Sequence, residues 1–446
     1  MGSMCSSILH AVLCVGLTLA SAASAEDLAC RAPPPFQPRA PVPVCPSGRL
    51  ACGNTCVDVE RDARHCGACG RDCGAAGVCG NGRCSTAAAP RTPACGQGES
   101  FYAGLGPRSV ALGDLDGDGD LDVAVGNTGR TETWSHTLYA PGTVVVLFND
   151  GHGRLSEPRV LDREGMNPWH VRVVDWEGDG DLDVIAAVRG GLRHFLGNGA
   201  GTLAPAGKWG PGGGDVFALA LADLNADGRL DAVQSSRNPI NPAYLNLELS
   251  VPSGLPLRKS YENIQETPAL GLGDFNSDGV PDIAHASWGQ VSLLAMQRDG
   301  GAFPISTWLL PMKPEGLVAW DFNGDGAVDV ALSDSSRDRL LLLYGTGDGR
   351  LPARTAVAVT PRPAALVRGD VDRDGLEDLV VVHPEAKQVG ILPGRRDGTF
   401  GPERLLQAEG TVRDVAIGDM DGDGAPELVV PEYETNHVRV LRARCP

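Results

Sequence analysis

A chain of 446 residues with a formal net charge of −18 is long enough for several domains, or for one large repeat array with attachments. That charge excludes nucleic acid and anionic membrane surfaces as default partners, since both require a basic face. The acid recurs in short clusters, so the repeat period decides the architecture.

Residues 1–25 read as a signal peptide. An apolar run from Ile8 to Ala20 precedes the small-residue stretch Ser21-Ala22-Ala23-Ser24-Ala25, which places cleavage before Glu26. The run is too short to span a bilayer, so no integral membrane segment is expected after cleavage and the chain is expected to be secreted or held at the cell surface. Residues 26–44 form a Pro-rich linker, residues 45–85 a cysteine-rich module, residues 86–94 a second linker, and residues 95–446 the main domain.

Of the 13 cysteines, Cys5 and Cys14 leave with the signal peptide, and Cys45, Cys52, Cys56, Cys66, Cys69, Cys73, Cys79 and Cys84 crowd into the module. In an exported chain this density reads as a small domain stapled by four disulfides for want of a core, with connectivity left open. The rival is zinc, suggested by Cys66-Gly67-Ala68-Cys69 beside His65, and the compartment and Gly-rich spacing disfavour it. The stretches Cys52-Gly53-Asn54-Thr55-Cys56-Val57-Asp58, His65-Cys66-Gly67-Ala68-Cys69-Gly70 and Cys79-Gly80-Asn81-Gly82-Arg83-Cys84 resemble modules of the stigma-specific cysteine-rich family. That resemblance implies little about activity.

From residue 114 onward the pattern Asp-x-(Asp/Asn/Glu)-x-Asp-Gly-x-x-(Asp/Glu) occurs seven times, with successive starts 61, 48, 51, 47, 49 and 49 residues apart. Alternate residues of a tight loop can aim oxygens at one centre, which is what Ca²⁺ requires with its six to eight hard ligands. Positions one, three, five and nine would supply side chains and position seven its backbone carbonyl. The candidate ligands are therefore Asp114, Asp116, Asp118, Asp120 and Asp122; Asp175, Glu177, Asp179, Asp181 and Asp183; Asp223, Asn225, Asp227, Arg229 and Asp231; Asp274, Asn276, Asp278, Val280 and Asp282; Asp321, Asn323, Asp325, Ala327 and Asp329; Asp370, Asp372, Asp374, Leu376 and Asp378; and Asp419, Asp421, Asp423, Ala425 and Glu427. Position six is Gly in every copy, as a sharp turn with positive φ demands.

An Asp-Gly-rich turn can be a plain polar hairpin, but seven copies with three or four acids each would repel strongly without a cation. Seven Ca²⁺ ions would bring −18 to about −4. An EF-hand is excluded, because it needs flanking helices and a Glu at position twelve. The flanks are instead apolar runs that read as strands, such as Ser109-Val110-Ala111-Leu112 and Leu121-Asp122-Val123-Ala124-Val125.

Each loop is followed by a strand, a variable connection, a third strand, a Gly-rich turn and a fourth strand. In the first repeat these are Val123–Gly126, Val144–Phe148, the turn 149–153 and Leu155–Leu161. Four short strands per period of about fifty residues predict an all-β, seven-bladed β-propeller with Ca²⁺-binding loops, preceded by the small disulfide-rich module. Leu112-Gly113-Asp114-Leu115-Asp116-Gly117-Asp118-Gly119, its six relatives, and the turn Gly398-Thr399-Phe400 resemble the FG-GAP and VCBS-type calcium-loop propellers related to those of integrin α-subunits. Leu-Gly, Val-Val, Leu-Ala, Ala-Trp, Arg-Gly or Ile-Gly stands where the family has Phe-Gly, which favours the bacterial VCBS-like branch. The last repeat supplies only three strands, so Glu99–Gly104 is expected to complete its blade. Cys95 and Cys445 would then lie side by side as a disulfide, leaving Cys30 to be free, to cross-link chains or to be lipidated.

No His-Glu-x-x-His, Gly-x-Ser-x-Gly or Walker loop occurs, so the expectation is a non-catalytic protein. The face opposite the acidic loops carries Trp134, Tyr139, Trp169, His170, Trp209, Tyr244, Trp288, His383, Tyr433 and His437. Aromatic platforms suit sugar rings or protein hot spots, and equally cap blade interfaces. The function expected is a binding or adhesion module for an extracellular polysaccharide or protein. The alternatives are a polysaccharide lyase or phosphodiesterase built on the propeller, and a purely structural surface component.

Overall fold

The computed structural model describes residues 50–52, 55–57, 64–65, 68–69, 77–80 and 83–86, and residues 98–443 apart from 132–137, 210–214, 238–242, 252–256 and 265–268. The chain divides into two compact units, 1–89 and 90–446. In the first, Leu50–Cys52 pairs with Thr55–Val57 and Gly77–Gly80 with Arg83–Thr86, and Cys52 is disulfide-bonded to Cys69. Cys95, Cys445, Cys30 and residues 1–25 lie outside the described residues.

The second unit is seven four-stranded antiparallel sheets. Blade 1 comprises Pro107–Gly113, Asp122–Asn127, Gly142–Leu147 and Arg159–Met166, with a small extra hairpin, Arg130–Thr131 against Leu138–Ala140, between its second and third strands. Blades 2 to 6 repeat this order, with first strands at His170–Val174, Asp215–Ala222, Ala269–Gly273, Pro314–Trp320 and Leu366–Gly369. Blade 7 takes Ala416–Gly418, Glu427–Glu432 and His437–Arg442 from the C-terminal end, and its fourth strand, Gly98–Tyr102, from the beginning of the unit.

Burial follows strand position. The second strands are fully buried, for example Asp122–Asn127 and Asp378–His383, because both sheet faces pack on neighbouring blades. They accordingly read as continuous apolar runs. The outermost strands are wet, as Ala353–Ala358 shows. A hydrophobic cluster fills each of the seven blade interfaces, including the one that joins blade 7 to blade 1 through Val110, Val123, Met420, Val429 and Val440. The interface of blades 2 and 3 also buries polar side chains. There Gln234 Nε2 donates to Glu248 Oε1 at 3.1 Å with both residues fully buried.

Glycine before the loop has a packing reason. A Cβ at Gly113 would stand 2.5 Å from Val173 of the next blade, and one at Gly273 would stand 2.8 Å from Val328. The Gly of Leu-Gly-Asp is where the adjacent blade approaches the inner strand.

Two boundaries differ from the sequence reading. The fourth strand of blade 1 starts at Arg159 rather than Leu155, which makes only an isolated bridge to Asn149. Pro158 intervenes, and having no N–H it cannot donate to the ladder. The closing strand runs Gly98–Tyr102 rather than 99–104, with Gly98 opposite Leu441 and Tyr102 opposite His437.

Candidate cation loops and axial depression

All seven acidic loops fold alike. Position one is the hub: its Oδ2 accepts from the N–H of the position-six glycine at 2.7–3.0 Å in every copy. Position five accepts from the N–H of position seven at 2.7–3.0 Å. The position-six glycines have φ between 82° and 95°. Position four is also left-handed in every copy: Gly117, Gly178, Ala226, Ser277, Gly324, Arg373 and Gly422 have φ between 58° and 77°. Sequence reading missed this second turn, although glycine in four of the seven copies was its signal.

Position nine does more than face the loop. Asp122, Asp183, Asp231, Asp282, Asp329, Asp378 and Glu427 open the second strands and are 0–4% exposed. One carboxylate oxygen of each accepts from the N–H of position two at 2.8–3.1 Å. In the six Asp cases the other oxygen accepts from an N–H at the end of the third strand or just after it, at 2.7–2.9 Å. This carboxylate therefore brackets three strands of its blade. Burial pushes Asp122, Asp231, Asp282 and Asp329 up to about 6 and Glu427 up to about 7, against those hydrogen bonds and with help from neighbouring loop acids.

The donor set fits a hard cation. Asp114, Asp116 and Asp122; Asp370, Asp372 and Asp374; and Asp419, Asp421 and Glu427 each bring carboxylate oxygens within 4.8 Å of one another. Asp116 Oδ1 and Asp372 Oδ1 are buried with no hydrogen-bond donor. Burial, then Asp118 and Asp114, raise the Asp116 carboxyl above its ordinary range. In three other loops an amide replaces one acid, and Asn225, Asn276 and Asn323 donate Nδ2 to Asp227, Asp278 and Asp325 at 2.9–3.1 Å. At position seven the Val280 and Ala327 side chains are buried, Val280 in the core between blades 3 and 4, so only their carbonyls could reach a cation.

The Gly-rich turn between third and fourth strands lies on the same face and rests on the loop of the preceding blade. Gly201 N–H donates to Leu115 O at 3.1 Å, Gly349 N–H to Phe275 O at 2.8 Å, and Asn149 Nδ2 to Met420 O at 2.8 Å.

The opposite face has an axial depression of about 260 Å³. Its lining has a register: the residue six positions before each loop's first Asp is Arg108, Trp169, Phe217, Pro268, Glu315, Ala364 or Arg413. All of these except Pro268, which lies outside the described residues, line the depression. Side chains of six blades meet at one hollow only if it lies on the propeller axis. Trp288 and Lys313 complete the wall.

Ring neighbours touch in sequence around the axis. Arg108 stacks its guanidinium 4.0 Å from the Trp169 ring centroid, and Trp169 meets Phe217 edge-on at 5.2 Å. His170 Nε2 lies 2.6 Å from Phe217 O, and burial holds its pKa down at about 4, so it is neutral at pH 7. Burial and then the Arg413 charge lower Arg108 to about 10, with Asp414 opposing.

Of the aromatic residues singled out in the sequence, Trp169, His170 and Trp288 come together here. Tyr433 is half-buried close to Arg108, and Tyr244 is half-buried on the third strand of blade 3. Trp134 lies outside the described residues, as do the side chains of Tyr139 and Trp209. His383 and His437 are structural. His383 is fully buried with Nε2 2.6 Å from Glu403 Oε1, and His437 packs edge-on against Tyr102.

The repeat unit can be placed by comparison. The FG-GAP-like repeat profile matches residues 175–233, 321–381 and 370–430, and the FG-GAP repeat profile matches residues 106–147. The matched blade segments are FG-GAP repeats. In each FG-GAP match the acidic loop and the second strand fall inside the matched segment. The stigma-specific STIG1-like family matches residues 40–100, over the cysteine-rich unit.

Among solved structures the FG-GAP propeller is similar to BBS1N in its complex with ARL6DN, at 12% identity and a TM-score of 0.55, covering 79% of this chain and 98% of that one. That likeness is one of fold. A lectin of Agrocybe aegerita that recognises non-reducing terminal N-acetylglucosamine aligns at 17% identity and a TM-score of 0.46, over 69% of this chain and 81% of that one. No curated protein matches the sequence.

Proposed function

We propose that this FG-GAP propeller is an exported, non-catalytic binding module whose acidic loops hold Ca²⁺ and whose axial depression receives an extracellular glycan or protein. Export rests on the apolar run Ile8–Ala20 and on the eight cysteines between Cys45 and Cys84, at least one pair of which is disulfide-bonded. Calcium, when bound, would neutralise carboxylates at positions one, three, five and nine, with the position-seven carbonyl as a further donor. It would thereby brace the first two strands of each blade on the face away from the ligand.

The observation that carries the binding reading is the ring six residues before the loops. It gathers residues from distant repeats into one concavity with two tryptophans, one of them, Trp288, 58% exposed. An exposed indole at the rim of a concave site offers apolar area at small entropic cost, and sugar rings and protein hot spots both use such surfaces. The test is a screen of the mature, calcium-loaded protein against a broad glycan array and a panel of extracellular proteins, with Trp288→Ala and Trp169→Ala alongside. Ligands lost in both variants support the reading. Ligands retained by both contradict it.

A further inference from the structure

The cations of the axial ring are unevenly placed. Arg413 and Arg108 are consecutive around the ring, and Trp169 and Phe217 follow, so one arc is cationic and aromatic. Neither guanidinium has a salt bridge or hydrogen bond among the described residues. Arg108 stacks on the Trp169 face, with the Asp414 charge nearby. The other charges in the hollow or close to its lining are already committed. Glu315 lies 3.5 Å from Lys313 Nζ and accepts from Ser335 Oγ at 3.0 Å. Asp414 accepts from Ser109 Oγ at 2.6 Å and from Val110 N–H at 3.3 Å. Arg172 donates to Val171 O, and His170 is neutral. In a chain of net charge −18, two adjacent guanidiniums without an ion pair, Arg108 partly desolvated and Arg413 exposed at the rim, form a cationic arc that an anion can meet from the hollow.

Resting on the reading above, we infer that the axial depression selects an anionic sugar residue. Its carboxylate would sit between Arg108 and Arg413, and its ring would lie toward the Trp288 rim. Guanidinium is the side chain suited to such a group, because its planar fork matches a carboxylate with two donors. A volume of about 260 Å³ suits one ring-sized residue rather than a long segment. The exposed indole of Trp288 is a platform for the apolar face of a pyranose, which an acidic peptide side chain lacks.

The experiment is calorimetric titration of the mature, calcium-loaded protein with tetragalacturonate and with the same oligosaccharide after its carboxyls are reduced to alcohols. Arg413→Ala, Trp288→Ala and the remote control Arg354→Ala are titrated in parallel. Arg413 is exposed at the rim, so its loss leaves the core intact. The inference expects the acid to bind roughly tenfold or more tighter than its reduced form, Arg413→Ala to lose about that factor, and Arg354→Ala to lose none. Added salt should weaken the acid alone. If acid and reduced forms bind alike and only Trp288→Ala weakens them, the anionic inference is overturned and the axial binding site stands. If neither sugar binds the folded protein, the inference is also overturned. In that case a glycan array and protein panel without Trp288-dependent ligands remove the binding reading as well.

Discussion

At the scale of single residues, the repeated acids divide into two kinds that the motif alone does not separate. Two position-three carboxylates, Asp116 and Asp372, carry an orphaned oxygen each, whereas position nine is committed to backbone donors, as Asp122 is through Leu115 and Asn149. Asp122→Ala strips two buried N–H groups of their acceptor. It should cost roughly 2–4 kcal/mol of unfolding free energy in chelator, and at least as much in calcium, where a candidate ligand is lost as well. Asp116→Ala removes a repelled carboxylate and should lie within about 0.5 kcal/mol of the parent in chelator, or above it, while losing stability relative to the parent in calcium. Urea unfolding of both variants in both buffers checks this, and equal losses for Asp116→Ala in the two buffers would reject the division. The spacing of the acids was legible in the sequence. Their hydrogen bonds were not, because the partner of position nine near the end of the third strand lies between 14 and 27 residues away and has no fixed identity: Asn149, Gly197, Ser250, Met296, Gly345 or Gly394.

Among the strands, the closing one carries the largest consequence. Gly98–Tyr102 turns a three-stranded end into a full blade and covers the edge of His437–Arg442. At Gly98 a Cβ would stand 2.0 Å from Val440 O, so any larger residue must displace the strand. Gly98→Val should therefore lower the melting temperature by several degrees, and deletion of residues through Tyr102 should expose a free edge and drive oligomer formation on size exclusion. A monomeric, unshifted deletion variant would contradict this role. Closure was legible because the repeat count leaves the last blade one strand short. The start of the fourth strand in blade 1 was not, since apolar Leu155 mimics a strand residue and Pro158 postpones the ladder.

For the whole molecule, the fold separates two chemistries that the sequence interleaves. Each repeat sends its acids to one face. Six residues earlier, in the six repeats where that position is described, one side chain lines the axial depression on the other face. The axial ring was invisible in the sequence because only the position repeats; the identities run from Arg to Trp to Ala, and ring closure alone makes Arg413 a neighbour of Arg108. The acidic face is where the claim of a calcium-braced propeller is most exposed to test. Without a cation, the raised position-nine carboxylates hold protons more tightly folded than unfolded, so the ion-free fold loses stability as pH climbs through about 6. The decisive measurement is thermal unfolding of the mature protein in millimolar calcium and in excess chelator, with metal content by mass spectrometry, at pH 7 and pH 5. The account predicts bound calcium, a melting temperature that drops on chelation and returns with added calcium, and a smaller drop at pH 5 than at pH 7. Identical melts in calcium and chelator, with no metal in the protein, would contradict it.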